Sequence, residues 1–204
     1  DALNRKLNDV SDAFRAAEKS APTVAKQIKP VRDAEAATVM ADIGRMLERL
    51  EGNHKKHLHS AAFVAKTGCA EGYKLLNSAS LEVSQDEQDT QRLYDLANLF
   101  EFGEKAEPIM EEVRSLRRDL IFSKSIWDIT KMVESQIDVW KNLLWDDIKP
   151  AKLEEDSKAF QKIVKGMDKG VRGWDSYLGV DASIKNFLVS VPCISELKAP
   201  AMRQ

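Results

Sequence analysis

Residues 108–145 read PIMEEVRSLRRDLIFSKSIWDITKMVESQIDVWKNLLW, and this stretch decides the fold. After Pro108 the chain has no glycine and no further proline until Pro150. Its apolar positions, with one threonine among them, recur mostly at steps of three and four residues, which places them on one face of an α-helix. These positions are Ile109, Val113, Leu116, Leu120, Trp127, Thr130, Val133, Ile137, Trp140 and Leu144. At 1.5 Å per residue such a helix is about 55 Å long, so we expect an extended bundle or strut.

The first half of the chain has helical periodicity as well. The residues of a first apolar stripe are spaced 4, 3, 4 and 3 residues apart, which favours side-by-side packing on a partner helix. It consists of Leu3, Leu7, Val10, Phe14 and Ala17. We expect this helix to end at Ser20-Ala21-Pro22 and a second helix to run from Pro30 to Gly52. The second helix has many alanines on its apolar face and buries little area, so this half should depend on neighbours for stability.

Shorter helices are expected in the middle of the chain. Two of them cover residues 54–66 and 70–81, and a third starts at the capping pattern of Ser84 and ends near Gly103.

The end of the chain predicts two more helices. Lys149-Pro150 breaks the long helix, and the next one runs to Trp174. Gly179 should close a turn, after which Asp181 caps a helix that ends before Pro192. The sequence therefore predicts an all-α fold, an elongated bundle or strut of consecutive antiparallel helices with one long helix near 108–145.

Composition limits the partners that we expect. The 204 residues are 43% hydrophobic and carry a net charge of −2, which provides no bulk attraction to nucleic acid or to an anionic membrane. No apolar run approaches the roughly 20 residues of a membrane-spanning helix. Cys69 and Cys193, the two cysteines, lack metal-type spacing and are expected to be free thiols. The first residue, Asp1, suggests a piece excised from a longer chain.

The three histidines raise the question of a metal site. His54, His57 and His59 follow one another at steps of three and two, which do not place all three on one helical face. Lys55 and Lys56 between them repel a cation. We therefore expect a solvated helix start here and no metal.

Catalytic and nucleotide-binding patterns are not found in the sequence. Acidic pairs such as Glu111-Glu112 and Asp146-Asp147 consist of helical neighbours that point apart, with basic residues close by. No histidine adjoins either cysteine, and no phosphate-binding glycine loop occurs. We therefore predict no catalytic, cofactor or metal residue in this chain.

All four tryptophans lie in the region from Trp127 to Trp174. Because tryptophan usually anchors a packed surface, we expect this region to determine how the helices pack. The tryptophans favour an interhelical seam, although an aromatic ligand pocket remains the alternative. The predicted seam residues are Trp127, Trp140, Leu144, Trp145, Phe160, Trp174, Phe187 and Leu188.

An ordered series of motifs in the same region carries a family resemblance. The series is Trp127-Asp128, Trp140-Lys141, Leu144-Trp145-Asp146-Asp147-Ile148, Phe160, Trp174-Asp175 and Ala182-Ser183-Ile184-Lys185-Asn186. From about Leu93 onward the sequence resembles the start of the linker region of dynein heavy chains. The motifs from Leu144 to Ile148 and from Trp174 to Gly179 are more similar to axonemal heavy chains of the outer-arm type than to cytoplasmic ones.

The resemblance implies a part of a motor. Residues 1–103 would be a helical tail segment and residues 104–204 the start of the linker, a rod that crosses an AAA+ ring and transmits force. The parent chain would bind ATP and magnesium and move along microtubules in the axoneme, or in the cytoplasm if the subtype is wrong. Partners would be the ring and tail of the same heavy chain, and other dynein heavy, intermediate or light chains. The alternative is a free-standing helical adaptor of the spectrin or coiled-coil class.

Overall fold

The computed structural model describes residues 2–199, with side chains at residue 10 and from residue 12 onward. Within this range the chain forms α-helices joined by short 3-10 turns and contains no strand. The helices are α1 (Ala2–Leu58), α2 (Cys69–Leu99), α3 (Glu107–Lys141), α4 (Pro150–Lys165) and α5 (Asp175–Leu197). The predicted all-α fold is confirmed.

Helix α3 follows the pattern from which it was predicted. Its first four stripe residues, Ile109 to Leu120, are all buried. Pro108 lies in the first turn, where the missing N–H costs nothing and the fixed φ angle suits a helix. The helix ends at Lys141, four residues before the predicted end, and Trp145 belongs to the 3-10 turn Trp145–Asp147.

Two hydrophobic cores share α3. The first core lies between α1, α2 and the first two-thirds of α3, and it includes Leu50, Val83 and Leu116. The second core lies between the rest of α3, α4 and α5. It consists of Ile126, Ile129, Val133, Val164, Val171, Tyr177, Val180 and Ile184. The first core contains residues from both sides of the predicted boundary at 103 and 104.

The predicted division of residues 2–58 into two helices is wrong. Pro22 and Pro30 both lie inside α1, which is continuous over 57 residues. A proline removes one backbone hydrogen bond and crowds the preceding turn, but the turns on both sides keep theirs, so a long helix continues through it. His54 and His57 lie in the last part of this helix, and His57 is buried. The prediction that the histidines form a solvated helix start is therefore wrong too.

The predicted helices in the middle are also corrected. Residues 59–68 form two 3-10 turns in place of a helix, and the Thr67 hydroxyl donates to the carbonyl oxygen of Ala61 at 2.7 Å. Helix α2 then runs without a break through Ser84. The Ser84 hydroxyl accepts a hydrogen bond from Arg117 of α3 at 2.8 Å, so it serves packing between helices and caps none.

Two glycines lie inside helices at points where another segment comes close. A Cβ on Gly72 of α2 would stand 2.7 Å from the indole ring of Trp127. A Cβ on Gly179 of α5 would stand 2.4 Å from the Cβ of Ala65. Both glycines permit a close approach between segments, and the turn predicted at Gly179 and the cap predicted at Asp181 are wrong. Helix α5 also continues through Pro192 to Leu197.

An ion cluster joins α1 to α3. Nδ1 of His54 lies 2.6 Å from Glu112, and Nε2 lies 2.8 Å from Asp119. Carboxylates only accept hydrogen bonds, so both contacts are made only by the doubly protonated ring. Burial lowers the pKa of His54, but the hydrogen bonds and charges of Asp119 and Glu112 outweigh it, so the pKa is raised above its ordinary value.

Replacement of Gly72 by alanine tests the close approach of α2 and α3. Because the added methyl group overpacks the indole of Trp127, Gly72→Ala should lower the free energy of unfolding by about 1–3 kcal/mol. Gly44→Ala is the matched control, since a Cβ there meets nothing within 4 Å and α1 is helical at that position. The control should gain about 0.5–1 kcal/mol. Urea unfolding measures both, and an equal gain in the two variants would contradict the close approach.

The His54 cluster predicts a pH dependence. A raised pKa means that the folded chain holds the proton more tightly than the unfolded chain. The stabilisation is complete below the unfolded pKa of about 6.5 and is lost as the pH rises through the folded pKa. The difference in unfolding free energy between the wild type and His54→Gln should therefore be larger at pH 6 than at pH 9.

The neighbouring histidine provides the control for that experiment. Burial lowers the pKa of His57. Protonation of His57 therefore opposes folding, and the difference between the wild type and His57→Gln should change with pH in the opposite direction. A difference for His54→Gln that does not change between pH 6 and pH 9 would show that the ring is not doubly protonated.

Candidate functional site

The two cores meet on adjacent residues of α3. Ile126 belongs to the second core and Trp127 to the first, and both are fully buried. Successive residues of a helix point about 100° apart, so α3 presents one face to α1 and α2 and the neighbouring face to α4 and α5. This point, with the segments that pack on it, is named the junction. It is defined by Ala62, Phe63, Ile126, Trp127 and Trp174.

Trp127 ties α3 to the turn that follows α1. Its indole N–H donates to the carbonyl oxygen of Ala62 at 2.7 Å. The Ser123 hydroxyl donates to the same oxygen at 3.1 Å. A buried tryptophan needs a partner for its polar N–H, and this bond also fixes the ring against Gly72.

Trp174 contacts both cores. It is half-buried, packs against members of each core, and meets Phe63 edge-on with ring centroids 4.8 Å apart. The next residue, Asp175, accepts a hydrogen bond from the backbone N–H of Ala65 at 2.8 Å. The turns at residues 61–67 therefore hold the start of α5.

The far end of the second core has an aromatic pair of its own. Trp140 of α3 stacks on Phe187 of α5 with centroids 4.6 Å apart and planes 20° apart. Both rings are half-buried and border a groove of about 400 Å³. Phe160 and Leu188 pack against the second core nearby.

Lys198 fastens the end of α5 to the loop between α3 and α4. Its ammonium group donates to the carbonyl oxygens of Trp145 at 2.7 Å, Asp146 at 3.2 Å and Ile148 at 2.5 Å. It also lies 5.8 Å from the centroid of the Trp145 ring. The loop therefore keeps a defined position although Trp145 is 45% exposed.

The eight predicted seam residues occupy three places. Trp127 and Trp174 lie at the junction, and Trp140, Phe160, Phe187 and Leu188 belong to the second core and its aromatic pair. Trp145 contacts Lys198, whereas Leu144 is 74% exposed and extended. The sequence did not indicate Phe63, Ala62 or Lys198, which lie far along the chain from their partners. Gly72 was the one signal available, since a glycine inside a helix pattern often marks a close approach.

Two titratable side chains near the junction, Cys69 and Tyr73, have raised pKa values, which favour their neutral forms. Burial, together with the hydrogen bond to Glu134 at 3.3 Å, raises the pKa of the Cys69 thiol to about 11, so the thiol stays protonated near neutral pH. Burial and the hydrogen bond to Asp128 at 2.7 Å raise the pKa of Tyr73. Within residues 2–199, the side chains that the structure describes form no cluster of three or more metal-ligating groups. None of the helices in this range has the length and apolarity needed to cross a bilayer.

Comparison with known proteins identifies the family. Residues 113–204 match the family described as dynein heavy chain, N-terminal region 2. The chain is 31% identical over 201 residues to the dynein alpha chain of the flagellar outer arm of Chlamydomonas reinhardtii. It is 29% identical over 203 residues to the ciliary dynein beta chain of Tripneustes gratilla. These matches cover 98% and 99% of the chain but only 4% of each relative.

A human relative agrees with these matches. Dynein axonemal heavy chain 17 is 31% identical over 132 residues, which are 65% of the chain and 3% of that protein. Flagellar, ciliary and axonemal chains thus all match, which confirms the predicted axonemal type. The similarity also extends to residues before Leu93, where the motifs alone indicated little. The chain therefore belongs to the dynein heavy chain family, within its N-terminal region.

Proposed function

We propose that this chain is a mechanical segment between the tail and the linker of an axonemal dynein, and that it transmits force from the AAA+ ring to the tail during ciliary or flagellar beating. The observation that carries the proposal is that α3 lies in both cores, so a load on α4 and α5 reaches α1 and α2 through one continuous helix. Close packing resists shear because interdigitated side chains do not slide without opening voids. The free-standing adaptor is not favoured, since the relatives are heavy chains.

The proposal assigns residues 1–103 to the tail and residues 104–204 to the start of the linker. The eight predicted seam residues then have different mechanical roles. Trp127 and Trp174 hold the two cores together, and the Trp140–Phe187 pair stiffens the far end. Trp145 positions the loop through Lys198, and Leu144 has no part in the cores.

The parent motor would use ATP and magnesium, and the described residues of this chain do not fit the nucleotide. Helices α2, α3 and α5 each carry an acidic residue in the first turn, and α4 starts with a proline. Negative charge at a helix N-terminus repels phosphate, and a proline has no N–H to donate. We therefore assign nucleotide binding and microtubule contact to other parts of the heavy chain. The partners that we propose are the ring and tail of the same chain and other dynein heavy, intermediate or light chains.

Force transmission is tested by Trp174→Ala in the intact heavy chain. The loss of a half-buried tryptophan and its edge contact should cost about 3 kcal/mol and uncouple the cores. Basal ATPase activity should persist, while microtubule gliding should slow severalfold. Leu144→Ala is the control, since this side chain is 74% exposed and lies outside both cores. Unchanged gliding of a Trp174→Ala motor whose segment is shown to be destabilised would refute the proposal.

Isothermal titration calorimetry tests the assignment of the nucleotide. Chain 1–204, titrated with ATP and magnesium, should give no binding heat at micromolar concentrations, because the helix starts repel phosphate. Micromolar affinity would mean that this segment takes part in nucleotide binding, contrary to the proposal.

A further inference from the structure

A polar cavity lies beside the junction, between α3 and α5. Its volume is about 200 Å³, and Trp127 and Ala65 form part of its wall. Each of the two helices contributes two polar side chains to the lining. These are Thr130 and Glu134 of α3, and Ser176 and Ser183 of α5. The cavity therefore brings polar groups of both helices to one place beside the junction.

The hydroxyl group of Ser176 is buried and unpaired. Ser176 is 2% exposed, and its hydroxyl oxygen has no hydrogen-bond partner among the residues that the structure describes. A hydroxyl group that is removed from bulk water and left without a partner costs free energy. Most buried polar side chains in native proteins are bonded either to protein or to ordered water. Since the described residues offer no partner, the cavity is the place from which a partner reaches this hydroxyl group.

The position of Ser176 is fixed by contacts on both sides of it in α5. Asp175 accepts a hydrogen bond from the backbone N–H of Ala65 at 2.8 Å. Gly179 lies so close to the same residue that a Cβ on it would stand 2.4 Å from the Cβ of Ala65. A shift of α5 that brought the Ser176 hydroxyl to a protein acceptor would disturb at least one of these contacts.

The polar groups of α3 keep acceptor sites for further hydrogen bonds. The Thr130 hydroxyl donates its proton to the carbonyl oxygen of Ile126 at 2.8 Å, so its oxygen is left as an acceptor. Glu134 accepts from the Cys69 thiol at 3.3 Å with one oxygen, and a carboxylate has about four acceptor sites in all. A molecule that links the two helices must therefore accept from Ser176 and donate to α3. Water does both.

Size and charge favour water over other occupants. The cavity is smaller than the roughly 300–1,000 Å³ of pockets for small organic ligands. A water molecule takes about 30 Å³ in the liquid, so several fit. The carboxylate of Glu134 repels anions, and a single carboxylate is fewer than the several that usually hold calcium.

We propose that this cavity is a hydration site, in which ordered water accepts a hydrogen bond from the Ser176 hydroxyl, donates to Thr130 and Glu134, and so bridges α5 to α3. The proposal does not rest on the force-transmitting function. It divides the contacts of α3 near the junction into two kinds. Helix α2 packs directly on the Trp127 ring at Gly72, whereas α5 is joined to α3 partly through water.

The sign of a stability change tests the hydration of Ser176. The bound water loses a hydrogen bond in Ser176→Ala, so the unfolding equilibrium constant should rise about threefold or more relative to the control. Ser190→Ala is the matched control, because this serine of the same helix is exposed and its hydroxyl donates to the carbonyl oxygen of Asn186 at 3.0 Å. Urea unfolding of chain 1–204 measures both variants. Removal of an unpaired hydroxyl relieves a cost, so an unchanged or lower constant for Ser176→Ala would overturn the proposal.

A double-mutant cycle tests the bridge to α3. Thr130→Val keeps the branched shape and removes the hydroxyl oxygen. If the same water serves both hydroxyl groups, the effect of Ser176→Ala on the unfolding constant should shrink at least twofold in the Thr130→Val background. Thr38→Val is the matched control background, since the Thr38 hydroxyl likewise donates to the carbonyl oxygen four residues before it, at 3.1 Å, and is exposed on α1. Additive effects in both backgrounds would contradict the bridge.

Direct observation distinguishes water from an empty cavity. A high-resolution crystal structure of chain 1–204 should show an ordered water molecule within hydrogen-bond distance of the Ser176 hydroxyl oxygen. Xenon under pressure should not enter the cavity, because xenon binds in dry apolar cavities and water fills polar ones. Xenon beside Ser176, an ion in place of the water, or a protein group bonded to the hydroxyl would overturn the proposal.

Discussion

The sharing of α3 between two hydrophobic cores is the constraint on which the rest of the structure depends. Helix α3 completes both cores, because its buried residues pack with α1 and α2 in the first core and with α4 and α5 in the second. A single helix serves both pairs only if its apolar face changes direction along its length. That change occurs between Trp127 and Ile126, and the turns at residues 61–67 secure it from both sides.

The sequence predicts the parts of this arrangement that depend on periodicity. The first part of the α3 stripe, its start beside Pro108 and the break before Pro150 follow from side-chain spacing and backbone rules, and all are present. The single face predicted from Ile109 to Leu144 is wrong, because the buried face changes direction at Ile126 and Trp127 and because Leu144 lies outside the helix and is 74% exposed. Length and fold class follow from the same signals. Sequence similarity identifies the dynein heavy chain family. Helical periodicity alone does not distinguish this family from other elongated helical proteins.

The elements that differ from the sequence-based expectation have a common physical cause, which is that long-range packing overrides local signals. Pro22, Pro30 and Pro192 are tolerated because neighbouring turns keep their hydrogen bonds. Gly72 and Gly179 allow another segment to approach, so they stand inside helices that their flexibility would otherwise weaken. Ser84 is used by Arg117 of another helix. The partners of Trp127 and Trp174 likewise come from a turn about 60 and 110 residues away, which no local pattern indicates.

The change of face on α3 has a consequence for rotation. The pair α1 and α2 and the pair α4 and α5 pack on faces of α3 that are about 100° apart. A torque on α4 and α5 about the axis of α3 therefore rotates α3 relative to α1 and α2. Tension along the rod is borne by its backbone hydrogen bonds, whereas torsion is borne by the aromatic rings and the close contact at Gly72. In the force-transmitting role proposed for this segment, a twist and a pull would therefore load different residues.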